Sequence, residues 1–150
     1  MLNVLVIFNK RQMYTNSTYD FVDSFSKYSK NKIFYYDWDV VSEIKISLSK
    51  FDVVILHWSS RLIIEDVNNV SVNFLKDFNG LKIIFIQDEY LKPKTLLNRL
   101  TIIKFDIIYS VGNKRFFNFL YPRKRLKYKK IREILTGYNL EIPKIINKKL

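Results

Sequence analysis

The sequence predicts a Rossmann-like, three-layer α/β domain with a mostly parallel sheet of five or six strands. Three observations carry this expectation. Five short apolar runs recur along the chain, amphipathic segments separate them, and 150 residues with 48% hydrophobic and 16% aromatic content suffice for one buried core. Residues 1–150 are read as a single domain, because neither a repeat nor an internal linker interrupts the alternation.

The apolar runs cover residues 2–8, 32–36, 52–58, 82–87 and 106–111, with 131–135 as a candidate sixth. They are continuously apolar rather than alternating, which is the pattern of strands covered on both faces. Between the first two, Ser17 and Asp20 have the spacing of a capping box. Phe21, Val22, Phe25 and Tyr28 then make a helical stripe that should end near Ser29. Ile44 and Leu48 suggest a shorter helix before the third run. Val72, Phe74, Leu75 and Phe78 suggest another, with Ser71 as its N-cap and Gly80 placed to close it. Pro93 suits the first turn of a helix carrying Leu96, Leu97 and Leu100. A short helix should come after Asn113 through Phe116, Phe117 and Leu120 and stop at Pro122. Residues 123–130 read as a solvated charged loop, and a terminal helix is expected from Pro143.

Composition excludes several classes. Residues 2–8 have no basic segment before them and are too short to span a bilayer, so neither a signal peptide nor a membrane helix is expected. The absence of cysteine removes disulfides, thiolate nucleophiles and cysteine metal sites, and it fits a reducing, cytoplasmic setting. The formal charge of +12 is unevenly placed. Residues 1–113 hold 14 Lys/Arg against 12 Asp/Glu, whereas residues 114–150 hold 12 against 2. Arg123 and Arg125 in that basic stretch are candidates for binding an anionic surface, since a guanidinium can grip phosphate bidentately. The aromatics interleaved there suit base stacking, core packing or a membrane interface alike. No nucleic-acid motif accompanies the charge, so nucleic acid is not the expected partner.

In an open parallel sheet, ligands bind beyond the carboxyl ends of the strands. The polar residues waiting there are Asn9, Lys10 and Arg11, then Asp37 and Asp39, then His57 to Arg61, then Gln87 to Tyr90. With glycine only at 80, 112 and 137, neither a dinucleotide fingerprint nor a P-loop can be built, and no cofactor is expected. The first strand leads into Asn9, Lys10 and Arg11, which does not suit a phosphoacceptor regulator. His57, the only histidine, has two readings: a general base that deprotonates an acceptor hydroxyl, or a structural histidine bonded to a neighbouring strand or loop. Asp88 and Glu89 should point in different directions, one into the crevice and the other capping the next segment of the chain. The Asp37-x-Asp39 pattern is too short to define a metal site, and no metal is expected.

Four stretches resemble the N-terminal domain of bacterial GT-B-type glycosyltransferases of surface-polysaccharide biosynthesis. They are Asn9-Lys10, Phe51-Asp52-Val53-Val54-Ile55-Leu56-His57, Gly80-Leu81-Lys82-Ile83-Ile84-Phe85-Ile86-Gln87-Asp88-Glu89-Tyr90, and Leu135-Thr136-Gly137-Tyr138. The resemblance implies two facing Rossmann-like domains, the first presenting the acceptor and the second holding a nucleotide-sugar donor. It implies transfer of a sugar to a glycan or lipid-linked acceptor, with His57 and Asp88 as catalytic candidates. Asn9, Lys10, Arg61, Glu89, Tyr90, Gly137 and Tyr138 become candidates for substrate binding. These 150 residues include no donor-binding domain, so a separate domain or partner chain is expected to supply one, and the piece alone should be inactive. The competing expectation is a noncatalytic module that binds an anionic membrane surface or a partner through its basic C-terminal segment, and in either case a cytoplasmic protein, peripheral at the inner face of the plasma membrane, is expected.

Overall fold

The computed structural model describes residues 1–64 and 66–134, in which six strands form one parallel sheet. The strands are β1 (Asn3–Phe8), β2 (Lys32–Asp37), β3 (Val53–Leu56), β4 (Leu81–Ile86), β5 (Ile107–Ser110) and β6 (Lys130–Glu133). The helices are α1 (Asn16–Tyr28), α2 (Asn69–Asp77), α3 (Pro93–Ile103) and the single turn α4 (Phe117–Leu120). Strand order is β2-β1-β3-β4-β5-β6, and every pairing is parallel. The expected α/β architecture is therefore present. The chain leaves β1 in one direction to reach β2 and then returns to β1's other side for β3. The sheet thus reverses its winding between β1 and β3, the place where doubly wound sheets open a crevice.

Alternate side chains of the central strands feed two apolar layers. Leu5, Ile7, Val54, Leu56, Ile84, Ile86 and Ile108 face α2 and α3, meeting Val72, Leu75, Leu96, Leu100 and Ile103. Val4, Val6, Val53, Ile55 and Phe85 face the opposite side, where Val22 of α1 is buried and Phe21 and Phe25 pack on the layer. Tyr28, expected in that stripe, is exposed. The outer strand β2 is mostly exposed, so its apolar residues are those of an edge and not of a doubly covered strand.

Four local expectations are corrected. The helix expected around Ile44 and Leu48 is a short 3-10 turn at Leu48–Lys50. Its β-branched and serine-rich segment is a poor helix former, and tertiary bonds satisfy the backbone instead. The Ser71 hydroxyl accepts from the Ile44 N–H (2.9 Å) and donates to the Ser42 carbonyl (3.0 Å), which also accepts from the Trp38 indole. Consequently Ser71 is not the cap of α2. Asn68 is, its side-chain oxygen accepting from the Ser71 N–H at 3.0 Å. Gly80 lies beyond the end of α2, whose cap residue is Phe78. A Cβ at Gly80 would sit 2.5 Å from the Asp52 carbonyl, so a close backbone approach demands the glycine there. Likewise α1 begins after Thr15, so Ser17 is inside the helix and forms no capping box.

Pro93 occupies the first turn of α3 as expected. Asn113 caps a 3-10 turn that leads into α4. The charged loop before β6 is anchored by buried Leu126 and Tyr128, so it is only partly solvated. Gly137, Tyr138 and the helix expected from Pro143 lie outside the described residues.

Candidate functional site

Beyond the tips of β1, β3 and β4, next to the winding reversal, lies an open cavity of about 320 Å³. The loop after β1 contributes Gln12, Tyr14 and Thr15, and α1 adds Thr18. The segment after β3 contributes His57, Trp58 and Arg61, and the end of β4 contributes Gln87 and Asp88. Leu56, Leu62, Ile84 and Leu96 make its apolar floor. His57, Arg61 and Asp88, 31 residues apart in sequence from first to last, therefore share one wall system.

The β3 tip is built by a chain of polar contacts. His57 N–H donates to the Ile7 carbonyl (2.9 Å), which continues the sheet by one residue. Residues Trp58–Ser60 then turn as a 3-10 helix. Asn9 N–H donates to Ser59 Oγ at 2.9 Å, Ser59 Oγ lies 2.8 Å from His57 Nδ1, and Ser59 N–H donates to the same nitrogen at 3.2 Å. The ring of His57 is 3.9 Å from that of Trp58 and 5.6 Å from that of Phe21, centroid to centroid. His57 is 1% exposed, and burial lowers its pKa to about 3. The ring is uncharged at neutral pH, so the ordinary titration that would suit a general base is moved far into acid. Its Nε2 is buried and has no hydrogen-bond partner among the described residues. Leaving such a group unpaired costs roughly 1–3 kcal/mol.

Two non-glycine residues on the rim are held in the left-handed region, Arg61 at φ 41° and Asp88 at φ 58°. Arg61 Nη1 donates to Gln12 Oε1 at 3.0 Å and ties the β3 loop to the β1 loop. Asp88 Oδ1 accepts from the Tyr90 hydroxyl at 3.2 Å, and the Asp88 carbonyl accepts from the Leu91 N–H. The Asp88 charge is the main cause that raises the Tyr90 pKa. Glu89 goes the other way, as adjacent side chains should, but it does not cap the next segment. It is buried against β5, where Oε1 accepts from the Ser110 hydroxyl and from the Gly112 N–H at 2.8 Å. A Cβ at Gly112 would lie 2.2 Å from that oxygen, so glycine permits the approach.

The other expected site residues are dispersed. Asn9 is buried behind the β3 tip, its side chain accepting from the Arg11 N–H. Lys10 and Tyr90 are exposed and are not part of the cavity wall. Asp37 accepts from the Lys10 N–H and Asp39 pairs with Arg11 at 3.3 Å, so both carboxylates brace the first loop. Among the described residues no three His, Asp or Glu side chains gather as metal ligands, and no helix is long and apolar enough to cross a membrane. Arg123 lies over the Tyr128 ring at 4.6 Å, and Arg125 hydrogen-bonds Asn98, so both have partners within the fold.

Several participants carried no sequence signal of their own. Ser59 stood out only as one of the polar residues after β3, not as the contact between Asn9 and His57, and Arg99 of α3 donates to the carbonyls of Leu62, which lines the cavity, and of Ile64. Thr15 and Thr18 reach the cavity only because the loop after β1 folds back toward β3. No family model matches the sequence, and comparison with curated proteins and with solved structures likewise returned no match.

Proposed function

We propose that this chain is the acceptor-side half of a GT-B-type glycosyltransferase and that the cavity beyond β1, β3 and β4 receives the sugar acceptor. The observation that carries the reading is the convergence of His57, Arg61 and Asp88 on one cavity at the winding reversal. The Gln87-Asp88-Glu89-Tyr90 element, on which the family resemblance rests, supplies part of that rim. The walls suit a saccharide. Trp58 and aliphatic side chains offer apolar area to C–H faces, while threonine, glutamine, arginine and aspartate groups offer both donors and acceptors to hydroxyls.

Within this reading the half-enzyme orients the acceptor, which is worth much of the barrier when two reactants must meet. Asp88 is the group suited to take a proton from the acceptor hydroxyl, because its carboxylate lines the cavity whereas the His57 Nδ1 lone pair is engaged by Ser59. A donor-binding domain or partner chain provides the nucleotide-sugar site, and no cofactor is needed in this half. A lipid-linked acceptor would place the protein in the cytoplasm, at the inner face of the plasma membrane.

The test is an NMR titration of the ¹⁵N-labelled chain with methyl glycosides of hexoses and N-acetylhexosamines. Saturable shifts centred on residues 57–61 and 87–88 are expected. Shifts confined to other regions, or none with any glycoside, reject the reading.

A second reading, a noncatalytic module docking on an anionic membrane, draws on one observation. Phe116 and Phe119 are 57% and 82% exposed beside Lys114 and Arg115. Sedimentation with phosphatidylserine vesicles tests it. Binding that survives Phe119→Ser and the Arg123→Ala, Arg125→Ala pair would remove this surface from consideration.

A further inference from the structure

Among the described residues the buried side-chain polar atom without a partner is His57 Nε2, and the contacts at the other side of the ring determine what it carries. Ser59 N–H is a donor and nothing else, and it is directed at Nδ1. Ser59 Oγ accepts from the Asn9 N–H and lies 2.8 Å from Nδ1, and since Nδ1 already presents its lone pair to the Ser59 N–H, the hydroxyl proton is the one turned to it. Two donors therefore converge on Nδ1, which must present its lone pair. Burial keeps the ring uncharged, so the single ring proton resides on Nε2.

We propose that Ser59 locks His57 as the Nε2–H tautomer and that, when a ligand entering the cavity that His57 lines displaces the side chains now covering Nε2, this N–H donates to an oxygen of that ligand. The site then takes a ligand presenting a hydroxyl, ring, carbonyl or carboxylate oxygen at the β3 tip, and disfavours one presenting an ammonium or N–H there. The ligand half rests on the sugar-acceptor reading of the cavity. In that setting His57 is a binding and positioning donor, and proton removal falls to another group. The Ser59 half stands on the ring contacts alone.

His57 is the chain's single histidine, so untagged protein gives one imidazole in a ¹⁵N-edited long-range spectrum. A protonated Nε2 and a bare Nδ1 are expected throughout about pH 5 to 8, the interval in which an ordinary histidine titrates. Ser59→Ala should bring the two tautomers to comparable populations, and Ser59→Thr, which restores a hydroxyl, should recover the wild-type spectrum. A wild-type ring carrying its proton on Nδ1, or gaining a second proton within that interval, overturns the tautomer assignment without any variant having to fold. The ligand half is read with the methyl glycosides. His57→Gln places an amide N–H near the Nε2 position and should bind within about threefold of wild type, whereas His57→Phe should lose about tenfold. Equal losses in both variants overturn the donor role. If no glycoside binds wild type, the sugar reading fails and the ligand half with it, while the ring spectrum still decides the Ser59 half.

Discussion

The two ends of the sheet treat their polar groups differently. At the amino ends of the strands, polar atoms close on one another. Asn3 N–H donates to Asp52 (2.7 Å) and Lys82 N–H to Asp106 (2.9 Å). The buried Lys82 ammonium donates to the Lys76 and Phe78 carbonyls at the end of α2, and Lys129 pairs with Asp106 at 2.9 Å. At the carboxyl ends, two non-glycine residues adopt left-handed backbone around a cavity, and a buried imidazole nitrogen lacks a partner among the described residues. Lys104 also has positive φ at the amino end, but there it is a helix cap whose N–H bonds the Leu100 carbonyl, a common way to end a helix. Groups that satisfy one another hold a fold together. Groups held in costly arrangements beside open space are the ones available to a ligand.

The largest expected break in this contrast comes from acid. The folded-state pKa of His57 is lowered from 6.5 to about 3, so the unfolded chain binds its proton first as pH falls. His57's contribution to stability is complete above about pH 6.5 and is lost progressively down to about pH 3. At about 1.4 kcal/mol per pH unit, the loss reaches several kcal/mol. Urea denaturation at neutral pH and near pH 4 should show it, and His57→Gln should flatten the difference.

Next in size, Asp106→Ala strands the Lys82 N–H and should cost about 2 kcal/mol, since a half-buried donor then goes unpaired. Glycoside binding should be unchanged, because the residue is at the far end of the strands. A shift in glycoside affinity would show that the two ends are coupled. Replacement of the left-handed residues sharpens the contrast further. Lys104→Gly and Asp88→Gly should each stabilise by about 0.5–1 kcal/mol through relief of backbone strain, yet only Asp88→Gly should weaken glycoside binding. Equal effects on binding would erase the distinction between the ends. Smallest is Arg11→Ala, which removes an exposed ion pair with Asp39 and should change stability by less than about 0.5 kcal/mol.

Much of the fold was legible in the residue order because local patterns and the tertiary fold agree. The six apolar runs each coincide with a strand, displaced by one or two residues at the ends; in the central strands β1, β3 and β4 the continuous Val, Ile and Phe pattern matches burial on both faces, whereas the edge strands β2 and β6 are mostly exposed. Pro93 and Asn113 mark element starts through geometry intrinsic to proline and asparagine. Disagreement arose where long-range bonds compete with local ones. Ile44 and Leu48 have helical spacing, yet the backbone around them is satisfied by Ser71, 29 residues from Ser42. The divergence of Asp88 and Glu89 is implied by their adjacency, but where Glu89 would be received is not, because its partners Ser110 and Gly112 belong to another strand and its loop.

The residue order by itself thus determined the class of the domain, the succession of its strands and the positions at which polar groups emerge from them, because these depend on local periodicity and on the intrinsic preferences of single residues. Only the tertiary structure decided which strand tips adjoin, that His57 is buried and uncharged with Ser59 at its Nδ1, and that Gln12, Thr18 and Arg61 reach one cavity. Those outcomes depend on the order in which strands lie side by side, and a residue's protonation depends on what surrounds it in space rather than on its neighbours along the chain.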